Sequence, residues 1–386
     1  MSWIAPPEPL QDDSRTDRLL GPHLYDGVCG AAFFLAAYYS VTESAEAREL
    51  CLRCLAPVCA KMKMLSESVT SNTKAIAIGG IVGLASIAYV LAWCADWLRY
   101  PQLSDLAFSA ARALTPERIA ADDKLDVVAG SAGVLLAMLA LCRKNQDTSA
   151  RDDAVAVARL CAHRLLRRRG ASETTGEPRG WSGTERPPLS GFAHGASGIC
   201  YALLRFSDFF GSDAQCREAA LGGFTFERGL YDPDKRAWLD LRFGRPLDQH
   251  AWCHGAPGIT LARLHALDLA DREIRDDLET ALSITAALPD LPRDHLCCGN
   301  FGLAEILHSA GQSLERDDLV DSALRLADRR LKRAMIQGFC FNWPDHNQSR
   351  GSSNFHPSLF LGEAGIGYTL LRFLYPGRFP SVLLLQ

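Results

Sequence analysis

A short motif, G-x-x-G opening an apolar stretch, returns seven times in this chain of 386 residues, and a recurring unit dictates architecture more strongly than any local propensity. The copies are Gly27-Val28-Cys29-Gly30, Gly80-Ile81-Val82-Gly83, Gly130-Ser131-Ala132-Gly133, Gly195-Ala196-Ser197-Gly198, Gly255-Ala256-Pro257-Gly258, Gly299-Asn300-Phe301-Gly302 and Gly362-Glu363-Ala364-Gly365, with first glycines 44 to 65 residues apart. Apolar stretches follow them, such as AAFFLAAYY from Ala31, LASIAYVLAW from Leu84, VLLAMLALC from Val134 and ICYALLRF from Ile199. Between the copies lie charged, amphipathic stretches, among them SAEARELCLRCLAPVCAKMKML from Ser44, ARDDAVAVARLCAHRLLRRR from Ala150 and LERDDLVDSALRLADRRLKRAM from Leu314. A helix that is apolar all round must be buried on every side, whereas a striped helix covers it from outside. The alternation predicts an all-α fold, an α/α barrel (toroid) of seven inner and seven outer helices. It would occupy residues 1–386 as one domain, with residues 1–22 as a lead-in.

Glycine destabilises a helix interior by about 1 kcal/mol relative to alanine, so recurring pairs need an unusual φ or a close backbone approach where each inner helix begins. That requirement places all the pairs at one end of the barrel. Three stretches, 170–190, 222–250 and 338–360, read as long loops near this mouth, with short strands such as Trp238-Leu239-Asp240-Leu241.

The segment 75–95, AIAIGGIVGLASIAYVLAWCA, carries no charge over 21 residues and is long enough to span a membrane. The repeat assigns it instead to the second inner helix, wrapped by protein. A net charge of -4, from 41 Lys+Arg against 45 Asp+Glu, leaves no basic excess to neutralise phosphates and speaks against a nucleic-acid partner. The opening residues, MSWIAPP, lack the basic and apolar regions of a signal peptide. Thirteen cysteines over this length are far sparser than in stapled secreted domains. Reduced thiols in the cytoplasm are expected.

If the glycine pairs mark one rim, the residues just before them face a common space. Those residues are Asp126, His194, Cys253, His254, Cys297 and Cys298. Three thiols with a fourth position open suit a catalytic zinc ion. A buried cysteine can equally pack as a small hydrophobe. That second reading serves Cys29, Cys94, Cys142, Cys200 and Cys216, and also Cys51 and Cys54, whose CxxC spacing falls mid-helix with no second pair.

The segments LYDGVCGAAFFLAAYY from Leu24, LDVVAGSAGVLL from Leu125, GFAHGASGICYALLRF from Gly191, WCHGAPGITLARL from Trp252, CCGNFGLAEIL from Cys297 and SLFLGEAGIGYTLLRF from Ser358 resemble those of the lanthionine synthetase C-like cyclases. The chain is most similar to the C-terminal cyclase domain of class II lanthipeptide synthetases, from about Leu24 onward. The resemblance implies an enzyme that uses Zn2+ to add peptide cysteine thiols to dehydroalanine or dehydrobutyrine, closing lanthionine or methyllanthionine rings. It implies zinc ligands at Cys253, Cys297 and Cys298, an acid or base at His194, and an assisting or orienting carboxylate at Asp126. Stand-alone members carry an arginine three residues before the motif tryptophan, where this chain has Gln249; His254 is either the residue that replaces it or a structural one. They also place a Cys-His pair where this chain has Cys297-Cys298, so an all-thiolate site is expected.

The partner implied is a dehydrated precursor peptide, with the dehydratase either separate or fused. Two other functions fit the same residues less well: a zinc-stabilised peptide-binding scaffold, and a prenyltransferase-like zinc thiol alkylase. The first leaves His194 and Asp126 without a task, and the second normally mixes Asp, Cys and His ligands.

Overall fold

Inner helices form where apolar runs follow the glycine motif. In the computed structural model, which describes residues 4–5, 18–67, 76–144, 148–171, 178–183, 187–242, 247–341 and 355–386, they are α1 (Val28–Thr42), α3 (Leu84–Trp97), α6 (Ser131–Lys144), α8 (Ala196–Phe209), α10 (Ala256–His265), α12 (Asn300–Leu314) and α14 (Glu363–Leu374). Each packs on the next, and α14 closes on α1, so the seven form a ring. The amphipathic segments become α2 (Ala45–Glu67), α4 (Gln102–Arg112), α7 (Thr148–Arg168), α9 (Ala214–Arg228), α11 (Arg272–Ala286) and α13 (Asp317–Gln337), each laid along the inner helix before it. The fourteenth helix, α5 (Pro116–Ala120), is a single turn against α7. Among the described residues no outer helix follows α14.

The uncharged segment lies in the second unit as expected, but its helix begins only at Leu84, and residues 76–83 form the loop before it. Among the described residues no helix is long and apolar enough to cross a membrane.

The glycines act mainly through close approach. A Cβ on Gly133, Gly198, Gly302 or Gly365 would fall 1.8–1.9 Å from the carbonyl oxygen six residues earlier, because the loop entering each helix folds back over its first turn. The first glycine is the N-cap, and its φ is left-handed only at Gly83 and Gly255. One register differs from the sequence reading. In the second unit Gly83, not Gly80, caps the helix, and Leu84 N–H donates to Ala77 O as Ala196 N–H donates to Leu189 O. Gly80 instead abuts the backbone of Gly133.

The capping register reveals a girdle. The residue two before each capping glycine is Tyr25, Ile81, Val128, Ala193, Cys253, Cys297 and Phe360. Backbone bonds pass from Cys297 N–H to Phe360 O, from Phe360 N–H to Tyr25 O, from Tyr25 N–H to Ile81 O and from Ile81 N–H to Val128 O, while Val127 N–H donates to Ala193 O. One rim is thereby stitched at a common height.

The three expected loop regions differ. Residues 170–190 include a hairpin of β3 (Arg169–Ala171) and β4 (Pro178–Trp181), following the short pair β1 (Ile4–Ala5) and β2 (Arg18–Leu19). Residues 222–250 begin inside α9 and continue into a three-stranded antiparallel sheet of β5 (Tyr231–Asp232), β6 (Ala237–Asp240) and β7 (Leu247–Asp248), with β6 on the expected strand. Of the third, residues 342–354 lie outside the described residues, as does most of the lead-in.

The final residues fill the ring. Val382, Leu383, Leu384 and Leu385 are buried; Trp252 Nε1–H donates to Leu383 O (3.2 Å), Tyr368 O–H to Pro380 O (2.8 Å) and Tyr89 O–H to Gln386 O (3.1 Å). The central floor is therefore chain terminus as well as helix.

Candidate functional site

Buried carboxylates fix the loops that carry the site. Asp122 accepts from Ser131 N–H (2.7 Å) and Ser131 O–H (2.6 Å), closing the loop that holds Asp126. Glu227, fully buried, takes Gly191 N–H (2.7 Å) and Ser197 O–H (2.6 Å) on either side of His194, and Arg263 balances its charge at 2.8 Å. Asp294 binds Cys340 N–H (2.8 Å), Asn300 Nδ2 (3.0 Å) and Arg330 Nε (2.7 Å) beside Cys297 and Cys298. A buried carboxylate that is paired and hydrogen-bonded fixes its neighbours, since moving them would leave it unsatisfied.

Cys253, Cys297 and Cys298 meet at the rim with all three sulfurs within 4.8 Å of one another, a group that could hold a metal ion. Cys253 Sγ is 3.9 Å and Cys297 Sγ 3.5 Å from Cys298 Sγ. Sulfurs about 2.3 Å from a tetrahedral ion stand about 3.8 Å apart, close to these two separations. Hydrogen bonds with Cys253 and Cys297 hold the Cys298 thiol well below the usual range, against the effect of burial, with His295 and Arg293 adding to the shift. Its bonds to Cys253 and Cys298 push Cys297 up. One sulfur of the cluster thus gives up its proton readily. Cys298 N–H donates to His295 Nδ1 (3.3 Å).

His194 and Asp126 come from neighbouring units and meet at 2.9 Å, Nδ1 to Oδ2. The other carboxylate oxygen accepts Ala129 N–H at 2.7 Å, so Asp126 is oriented at both ends. Its side chain is 5% exposed against 29% for His194. The imidazole therefore lies between a buried carboxylate and the open mouth. With Nδ1–H bound to carboxylate, Nε2 is the atom left to exchange protons.

His254 is fully buried and stacks on His194 with ring centroids 5.4 Å apart. Its Nδ1 faces Ser190 O at 3.3 Å, which only an N–H can satisfy, and Nε2 has no partner among the described residues. Burial, reinforced by Arg242 and His194, pushes its pKa down to about 3. Neutral His254 thus presents a bare lone pair at Nε2. Such an atom accepts a hydrogen bond but cannot donate one to a developing oxyanion.

The cysteines expected in the core, Cys29, Cys94, Cys142, Cys200 and Cys216, are buried on helices, and Cys51 on α2 hydrogen-bonds to Ala32 O of α1 (3.2 Å). Sequence reasoning missed Tyr25 and Arg242. Tyr25 stacks on Phe360 (5.1 Å), whose carbonyl accepts Cys297 N–H. The signal was available, because Tyr25 occupies the same place before its glycine as Cys253 and Cys297. Arg242 lies on a loop outside any repeat position.

The sequence model of the family described as "Lanthionine synthetase C-like protein" matches residues 19–384. Among solved structures, one titled "Nisin cyclase" aligns over 94% of this chain and 92% of its own at 19% identity and a TM-score of 0.70, showing the same toroidal fold. A sugar epimerase from a ruminal bacterium (11% identity, 92% and 87% coverage, TM-score 0.44) and an unsaturated glucuronyl hydrolase from Bacillus sp. GL1 (15%, 97% and 92%, 0.43) are more distant.

Proposed function

Because this chain belongs to the lanthionine synthetase C-like proteins and is a lanthionine cyclase in that broad sense, we propose that it is a zinc-dependent enzyme adding peptide cysteine thiols to dehydroalanine or dehydrobutyrine. The observation that carries this reading is the juxtaposition, on one rim, of three thiols that match a tetrahedral metal set with an Asp126-oriented His194. Cys253, Cys297 and Cys298 would hold the ion, as the donor set of a thiophilic metal with one position left for substrate. When bound, zinc supplies the deprotonation of an incoming thiol, whose pKa near 8.5 otherwise keeps it protonated at neutral pH.

The protein's own groups supply the rest. Attack of the thiolate on the β-carbon forms the C–S bond and moves the C=C electron pair toward the carbonyl oxygen. The α-carbon then needs a proton. His194 delivers it from Nε2, while Asp126 stabilises the imidazolium through Nδ1 and holds the ring in one tautomer. The thiol's proton is regained at the α-carbon, so the product has the mass of the reactant.

We take the substrate to be a dehydrated precursor peptide, made by a dehydratase that is either fused or separate. The likeness to class II cyclase domains and a cytoplasmic, reducing setting belong to the same proposal. Incubating the protein with a dehydrated, cysteine-containing peptide should consume free thiols at constant mass, and Cys298→Ala should abolish this. Bound zinc with unchanged thiols would point to the scaffold instead. Less than roughly half an equivalent of zinc per chain would undermine the three-thiolate site.

A further inference from the structure

The chemistry above builds negative charge on the carbonyl oxygen of the dehydro residue, yet no group assigned so far can meet it. Asp126 is an acceptor, His194 is committed to the α-carbon, and His254 directs its Nδ1 to Ser190 O. Gln249 is neutral. The structure brings a cation to this place from outside the repeat. Arg242 follows β6, and its Nη2 donates to Gln249 Oε1 at 3.3 Å, four residues before Cys253. Its Nε and Nη2 also grip the Asp240 carboxylate at 2.9 and 2.7 Å. That carboxylate is 1% exposed while Arg242 is 28% exposed, so the buried partner anchors a guanidinium that remains in touch with the mouth.

Strand β6 is tied to the site from two sides. Leu239 O, on β6, accepts Ser190 O–H (2.9 Å) from the loop carrying His194, and β6 pairs with β7, which runs straight into Gln249 and Cys253. We propose that Arg242 is a further catalytic residue of this site, the cation that stabilises the enolate oxygen formed when the thiolate adds to the dehydro residue. The step consumes nothing else: charge arrives with the thiolate, resides on the oxygen opposite Arg242, and leaves when the α-carbon takes its proton. This assignment rests on the cyclase reading.

Removing one donor aimed at a developing oxyanion lowers kcat by about 10²–10³-fold, and Arg242→Gln should do the same with little change in KM. Zinc content should stay at the wild-type value, while the thermal midpoint should fall because buried Asp240 loses its charged partner. Arg242→Lys, which keeps the charge but not the fork, should recover part of the rate. Millimolar guanidinium or methylguanidinium should restore turnover to Arg242→Ala, an effect that a purely structural role would not produce. An Arg242→Gln protein as fast as wild type overturns the assignment. So does a slow one that has lost its zinc and that no guanidinium rescues. A wild-type protein that consumes no thiol from the dehydrated peptide removes the cyclase reading and this assignment together.

Discussion

At the residue scale the site separates holding from reacting. His194 is held by Asp126 and stacked on His254, so His194→Asn should bind zinc normally and lose cyclisation by about 10²–10⁴-fold, the range that proton-transfer catalysis contributes. Full activity of that variant would exclude His194 from the reaction. Cys298→Ala should lose zinc as well as cyclisation, because removing one of three thiolates dismantles the donor set, and metal analysis would show it directly. These residues were legible in the sequence by position alone, since the two places preceding the capping glycine recur around the rim. Tyr25 occupied the same place and was overlooked because a tyrosine did not look like part of a thiol cluster. Arg242 could not be found in that way. Its proximity to Cys253 depends on the pairing of β6 with β7, which no periodicity announces.

At the element scale, the glycine motif specifies where a helix starts and how closely its entry loop returns. The register in the second unit shows the limit of a string match: Gly80 and Gly83 satisfy the pattern, but the close contacts belong to a frame three residues later. Loop placement then depends on carboxylates that lie beneath the helices. Glu227→Gln keeps the shape of the side chain but leaves buried Arg263 with Asp277 as its remaining counter-ion, at 3.1 Å. Breaking a buried pair costs about 3–5 kcal/mol, and a lower urea midpoint at constant m-value should report it. A displacement near 1 Å at His194 can lower turnover by about 10²-fold, so activity should fall even where the variant remains folded. A change below about 1 kcal/mol would mean that Glu227 is not the residue fixing this loop.

The girdle makes a related prediction about the metal. Backbone bonds link the first, second, third, fourth, sixth and seventh units around the rim, and Cys253, in the fifth, approaches Cys297 and Cys298 through sulfur. A bound ion would therefore join the fifth unit to the sixth. Binding to the folded state alone stabilises in proportion to RT ln(1 + [L]/Kd), or about 4 kcal/mol at a thousandfold excess over Kd. Chelation should lower the thermal midpoint of the wild-type protein and leave that of Cys253→Ala almost unmoved. Equal sensitivity of the two would show that the ion does not act as this tie.

At the scale of the whole molecule, the ring is closed by helices but filled by residues 380–386. The apolar runs announced buried inner helices, and their number and order followed from the repeat. The run SVLLLQ was too short to declare where it would pack, and only the closed ring creates the space it enters. Burying an aliphatic side chain contributes about 1.5–3 kcal/mol, so Val382, Leu383, Leu384 and Leu385 together supply on the order of 6–12 kcal/mol. That equals most of the roughly 5–15 kcal/mol by which a domain is stable at all. Deleting residues 381–386 would also remove the acceptor of Trp252 Nε1–H, directly before Cys253. The shortened chain should therefore fail to fold cooperatively, with a broad or absent thermal transition, and zinc at up to a thousandfold excess over its Kd should not rescue it, since about 4 kcal/mol cannot replace the lost core. A sharp transition near the wild-type midpoint would show that the inner helices close over the gap unaided.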